Sequence, residues 1–150
     1  MSEPLKVSMA FIAEADRYFF EQRTKGRANG ALGKIGCFGG EIKIDETPRE
    51  AVHREVIIEE VAGLEDFSPE KFWRFKGTLE VDSDRDNQPV KVEAHVYKLL
   101  LPFGYGDKIS APNSIWLKVD ELQLALENHQ LTPATEMACV EYLGMEKTPA

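Results

Sequence analysis

The apolar positions of this chain change period along its length. Residues 7–13 and 18–22 are short runs rich in apolar and aromatic side chains and predict two strands, the second ending in Gln22 and Arg23. Residues 72–81 and 90–101 alternate apolar with polar side chains, which predicts a β-hairpin around Asp82, Ser83, Asp84, Arg85, Asp86 and Asn87. Between these pairs the period becomes helical: Ala51, Val52, Val56, Ile57, Val61 and Ala62 form an apolar stripe, while Arg49, Glu50, His53, Glu55 and Glu59 are polar. The chain also marks where this helix begins. Thr47, Pro48, Arg49 and Glu50 fit the N-cap, N1, N2 and N3 positions, a Thr/Glu capping box with proline at the first helical residue, and Gly63 predicts the end. Upstream, Gly36, Gly39 and Gly40 bracket Cys37 and Phe38, predicting a strand that ends in a turn where the backbone bends sharply or approaches something closely.

The predicted helix carries charges that its own physics disfavours. Glu55 and Glu59, four residues apart, share a face and repel by roughly 0.2–0.5 kcal/mol. Glu59 and Glu60 also fall near the helix C-terminus, where the macrodipole disfavours anions. A divalent cation would turn both penalties into attractions, since magnesium is typically held by one or two carboxylates while keeping positions for water and substrate phosphates.

Gly40, Glu46 after five intervening residues, and Arg54-Glu55 after seven more give the segment a recognisable spacing. It resembles the Nudix box of nucleoside-diphosphate-linked hydrolases, G-x5-E-x7-R-E-U-x-E-E-x-G-U with U aliphatic, and Val56 fills the first U. The second half departs from the pattern. Val56, Ile57 and Ile58 stand where two residues are expected before the Glu pair, and Val61 and Ala62 where one is expected before glycine. Two alignments follow. An unbroken α-helix, which needs no unusual backbone and keeps Ile58 beside Ile57 on an apolar flank, is preferred; it leaves Glu55 and Glu59 as the main ligands. Alternatively a single-turn π-bulge absorbs the extra residue and returns both Glu59 and Glu60 to the metal-facing side.

The resemblance extends over most of the chain. Residues 7–13 and 18–22 look like the family's opening hairpin, residues 116–122 like its tryptophan strand and the helix start after it, and residues 131–143 like its closing helix, with Thr132 as cap and Pro133 at N1. It implies a single α/β domain over residues 1–150, an α/β/α sandwich with a mixed central sheet. It also implies roles. Glu55 and Glu59 would be metal ligands and catalytic residues, Glu60 a further ligand if the bulge forms, and Gly39 a donor of its backbone carbonyl. The fork of Arg54 suits holding Glu55 or Glu46 in place, with Glu46 behind the ligands. Many family members add a carboxylate from outside the box. Residues 110–114, where it often lies, contain no acid, so Glu93 is the candidate, with Glu80 behind it.

The implied activity is Mg2+-dependent hydrolysis, with Mn2+ as the alternative ion, of the diphosphate in a small-molecule nucleoside diphosphate derivative. A catalytically weakened Nudix-like nucleotide-binding or regulatory domain is the second possibility. The third is an acidic α/β protein whose glutamates are surface residues. Family members often dimerise, so the resemblance admits a homodimer.

Composition narrows these classes. At 150 residues and 43% hydrophobic the chain can bury a core as one domain. A net charge of −8 excludes an ordinary duplex nucleic-acid binder, which would show a basic face. Phosphate could still be met by a metal together with Lys25, Arg27, Lys34 and Arg49 near the glycines. No run approaches the roughly 18 apolar residues of a membrane span, and no signal peptide is visible, so the expectation is cytoplasmic. Cys37 and Cys139, without CxxC spacing, read as free buried thiols. Phe72, Trp73, Phe75 and Trp116 read as packing aromatics, and His53, His95 and His129 lack ligand spacing. Arg23 and Tyr18 are substrate contacts only by analogy of fold. Substrate choice is expected from loops 24–34 and 82–89.

Overall fold

Strand β1 (Leu5–Glu14) is the axis of the molecule in the computed structural model, which describes residues 3–23, 33–65, 73–85 and 88–147. It pairs in parallel with β6 (Gln88–Leu100) on one side. On the other it pairs antiparallel with β2 (Arg17–Gln22) through its C-terminal half and with β4 (Phe38–Glu41) through its N-terminal half. The predicted hairpin is present as β5 (Trp73–Arg85) antiparallel to β6, with a bulge between Phe75 and Gly77. β3 (Ile35–Gly36) and β7 (Ser114–Lys118) both pair with β2, completing a mixed seven-stranded sheet among the described residues.

Alternation along β1 builds the two layers. Met9, Phe11 and Ala13 point to one face, where α2 (Val119–Glu127) and α3 (Pro133–Tyr142) bury Leu122, Leu126 and Cys139. Ala10 and Ile12 point to the other, against Phe38, Val52, Val56 and Ile57. The result is the α/β/α sandwich expected. Thr132 caps α3 with Pro133 at its start, as the sequence predicts. Cys37 and Cys139 are buried free thiols, and burial pushes Cys37 up to about 12. None of the helices among the described residues is long and apolar enough to cross a membrane.

Two expectations are corrected here. Gly39 and Gly40 do not form a turn after a strand; they lie within β4, opposite Met9 and Ser8. Close approach explains them: a Cβ on Gly39 would collide with the Ser8 carbonyl, and one on Gly40 with the Glu55 carboxylate. The helix that follows is not an unbroken α-helix either. Thr47 caps α1 (Pro48–Val52) in the predicted capping box, worth about 1 kcal/mol, but from His53 the backbone becomes a π-helix, His53–Glu60.

Candidate active site

The π-helix decides which carboxylates meet. Its closing bond runs from the Val61 N–H to the Val56 carbonyl at 3.0 Å, five residues back. In that geometry residues i+4 and i+5 share the face of residue i, so Glu59 and Glu60 both return to the side of Glu55. The alternative alignment is therefore the one adopted, extended over eight residues rather than a single bulge. Packing supplies the reason. Val52, Val56, Ile57 and Val61 are all buried, at about 1.5–3 kcal/mol each, whereas Ile58 is 69% exposed and does not flank Ile57 in the core. The helix also ends before Gly63: Val61 is already extended, and Ala62, expected in the apolar stripe, is exposed and bridges to Ser110.

Deleting Ile58 is therefore expected to be tolerated. Removing one residue converts an i+5 spacing into i+4, so an α-helix would keep Val61 in the core and the glutamates on their face. The deletion should leave the melting temperature within a few degrees and Mn2+ affinity within about threefold, a difference of about 0.7 kcal/mol. Loss of the fold would show that the π backbone serves something other than absorbing one residue.

Arg54 organises the cluster. Its Nε and Nη2 donate to the two oxygens of Glu46 at 2.6 and 2.9 Å, a bidentate grip. Its Nη1 donates both to Glu55 at 2.9 Å and to Glu59 at 3.0 Å, and Nη2 also reaches the Glu41 carbonyl at 3.1 Å. Glu60 accepts from the Gly39 N–H at 3.1 Å. The structure thus gathers Glu46, Arg54, Glu55, Glu59, Glu60 and Gly39. Among the described residues no three His, Cys, Asp or Glu side chains converge as ligands of one ion; here the carboxylates are turned to Arg54 and to the Gly39 amide.

Arg54, followed by the Lys43 N–H, holds the Glu46 carboxyl down from 4.5 to about 2, and Glu46 in turn raises Arg54. Because the folded value is depressed, the stability this contact supplies is complete above about pH 4.5 and is lost as pH falls toward 2. Melting curves between pH 7 and 2.5 should therefore show a smaller acid-induced fall for Glu46→Gln than for the wild type. Equal slopes would remove Glu46 from the acid response.

Other candidates go elsewhere. Glu93 points to His95, 2.9 Å away, and the second ring nitrogen of that histidine faces Thr78 Oγ1 at 3.4 Å. These contacts run between β5 and β6. Glu80 is exposed opposite Glu93. Tyr18 is buried on the α2 and α3 side. Arg23 Nη2 points to the Cys37 carbonyl at 3.4 Å. Lys34 donates to the His129 carbonyl, and Arg49 is exposed. Trp73 is buried and Phe75 is half exposed, while Phe72, Lys25, Arg27 and part of both specificity loops fall outside the described residues.

A cleft of about 530 Å3 opens beside the carboxylates, between Glu59, Glu60 and Ala62 on one wall and Ser110, Ala111 and Pro112 on the other. A concavity of similar size, about 500 Å3, lies on the opposite layer near Tyr18 and Gln123, far from this chemistry. Sequence reasoning missed Ser8, whose buried hydroxyl donates to the Pro48 carbonyl at 2.7 Å and ties β1 to the start of α1. A lone serine inside an apolar strand was the available signal. It also missed Glu14 and Arg17, which flank the β1–β2 turn.

No protein-family model and no curated protein sequence matches the chain. Among solved structures it is similar to the NUDIX domain of Shewanella oneidensis NrtR complexed with ADP ribose, at 15% identity and TM-score 0.68 over 96% of this chain and 89% of that one. It is also similar to the MutT NUDIX hydrolase of Burkholderia pseudomallei, at 22% identity and TM-score 0.61 over 93% and 98%. A third likeness is to a bifunctional NMN adenylyltransferase/ADP ribose pyrophosphatase from Francisella tularensis, at 17% identity and TM-score 0.70, covering 96% of this chain but 42% of that one. The chain has the Nudix fold.

Proposed function

We propose that this chain is a divalent-metal-dependent pyrophosphohydrolase that cleaves the diphosphate of a nucleoside diphosphate linked to another moiety. The observation that carries this reading is the placement of Glu55, Glu59 and Glu60 on one side of the π-helix, beside Gly39 and Gly40, on a Nudix fold. The donor set suits magnesium, which takes a few carboxylate oxygens and keeps water. The bare backbone of Gly40 leaves the space that the Glu55 carboxylate occupies, a cradle any side chain would fill.

Glu55, Glu59 and Glu60 would hold the ion, with the Gly39 carbonyl as a further donor. When bound, such an ion supplies an acidified water and neutralises charge on phosphate oxygens. Arg54 keeps Glu55 and Glu59 within reach of one another and offsets their repulsion. Glu46 orients Arg54 in turn. The cleft between Glu59 and Pro112 has room for the group beyond the diphosphate. A nucleotide-type substrate is supported by neighbours described with ADP ribose or as an ADP ribose pyrophosphatase.

The arrangement of Glu93 favours a second reading. With that carboxylate engaged by His95 and no acid in residues 110–114, a binding domain with weakened chemistry has an observation behind it. Phosphorus NMR separates the two. Incubated with Mg2+ and ADP-ribose, nucleotide sugars or nucleoside triphosphates, a hydrolase converts the diphosphate signals of one class into phosphomonoester signals. Bound but uncleaved ligand across the panel would establish the binding domain instead.

A further inference from the structure

A half-buried ion pair, with Glu14 inside and Arg17 partly exposed, lies where the hydrolase reading gives it no role. Glu14, at the end of β1, is 6% exposed and accepts from Arg17 Nε at 3.0 Å, from Arg17 Nη2 at 2.5 Å and from the Gly106 N–H at 2.8 Å. Arg17 stacks on the Trp116 ring at 4.0 Å and reaches Asp107 at 3.5 Å. A Cβ on Gly106 would come within 2.6 Å of Arg17 and 2.8 Å of Glu14, so a larger residue there would displace the two charged groups. The Gly106 N–H, and after it Arg17, hold the Glu14 carboxyl below its usual range, which keeps it anionic at neutral pH. Ion pairs taken out of water are often no more stabilising than an apolar contact of the same size, which leaves a geometric role to be tested.

The clamp leads to the candidate active site. Gly106 belongs to the 3-10 turn Tyr105–Lys108, and the Lys108 carbonyl packs so closely on Gly63 that a Cβ there would overlap it. Two residues further, Ser110 and Ala62 exchange both backbone hydrogen bonds, at 2.8 and 3.0 Å. Ala62 directly follows Val61, whose N–H makes the last i to i+5 bond of the π-helix. The path from Glu14 to the end of the π-helix is therefore a continuous run of hydrogen bonds, close packing and short covalent segments.

We propose that the Glu14–Arg17–Gly106 clamp is a strut that fixes the C-terminal end of the π-helix and so positions Glu59 and Glu60 for the metal. This rests on the proposed metal-dependent site and adds Glu14 to it as a positioning residue. A π-helix has poorer hydrogen-bond geometry than an α-helix and persists when tertiary contacts hold it. The strut supplies such a contact at the end where the two carboxylates sit.

The test is a double-mutant cycle with two readouts. Glu14→Gln keeps the shape of the side chain and weakens its hold on Arg17 and Gly106; Ala62→Pro removes the N–H given to Ser110. Each is expected to raise hydrogen exchange of the Val61 amide about tenfold, with amides of β1 and β6 unchanged, and to weaken Mn2+ binding by about tenfold, as loss of a partner behind a ligand does. The double variant should be no worse than the poorer single, because both cut one connection. Unchanged Val61 exchange in Glu14→Gln, or additive losses in the double variant, would overturn the strut. If the wild type bound no Mn2+, the metal reading would fail by itself, and Val61 exchange would still decide whether the strut exists.

Discussion

Arg54→Ala is expected to be the most damaging polar substitution in the helix segment, lowering the melting point and reducing turnover by roughly 10–100-fold. One guanidinium satisfies Glu46 at both oxygens and bridges Glu55 to Glu59. Removing it leaves three carboxylates close together, two of them partly exposed and one half exposed, without the cation that offsets them. All four side chains keep contact with water, so the loss falls below that of a fully buried pair, and the bidentate, networked geometry keeps it above that of an isolated surface pair. At about 2–4 °C per kcal/mol for a domain of this size, the melting point should fall by several degrees. Lysine is expected to rescue little, because a point charge cannot grip Glu46 bidentately and bridge two other carboxylates at once. A melting point within two degrees of the wild type in Arg54→Ala would contradict this account of the cluster.

Glu55→Gln and Glu59→Gln should behave in the opposite way, sparing the fold and removing the activity. Glutamine keeps an oxygen for Arg54 Nη1 and lowers the repulsion among the carboxylates, so stability should hold or rise slightly. Turnover should fall on the order of 10²–10³, since loss of a metal ligand forfeits several kcal/mol of transition-state charge stabilisation at about 1.4 kcal/mol per factor of ten. Glu93→Gln, whose carboxylate serves His95, is expected to change turnover by less than about threefold. The variants are best compared at saturating Mg2+ and again across a metal titration: a lost ligand raises the metal concentration needed, whereas a lost base lowers the plateau. Wild-type turnover in both glutamine variants would remove these residues from the site.

What the sequence disclosed divides along local and tertiary lines. The caps of α1 and α3, the β5–β6 hairpin and the two helical layers are set by residues near one another in the chain, and Thr47, Glu50, Thr132 and Pro133 marked their places directly. The extra residue in the box could be counted, but the backbone that absorbs it could not be chosen. That choice depends on Val56, Ile57 and Val61 all reaching the core and on Ser110 holding Ala62, contacts made by distant parts of the chain. The glycines at 39 and 40 announce a sharp bend or a close approach, and only the pairing of β4 with β1 decides for the approach, of the Ser8 carbonyl and the Glu55 carboxylate, within a strand. The clamp at Glu14 was not legible because its partner Gly106 is remote in sequence and has no side chain to signal the contact.

Mn2+ titration followed by electron paramagnetic resonance tests the central claim most directly, namely that the π-helix turns Glu55, Glu59 and Glu60 toward one divalent cation. In the wild type, signal from the free ion should be quenched, and each of Glu55→Gln, Glu59→Gln and Glu60→Gln should weaken binding by about tenfold or more, while Glu80→Gln and Glu93→Gln leave it unchanged. Full affinity in Glu60→Gln alone would restore the two-ligand arrangement of an unbroken helix. Full affinity in all three variants would contradict the site.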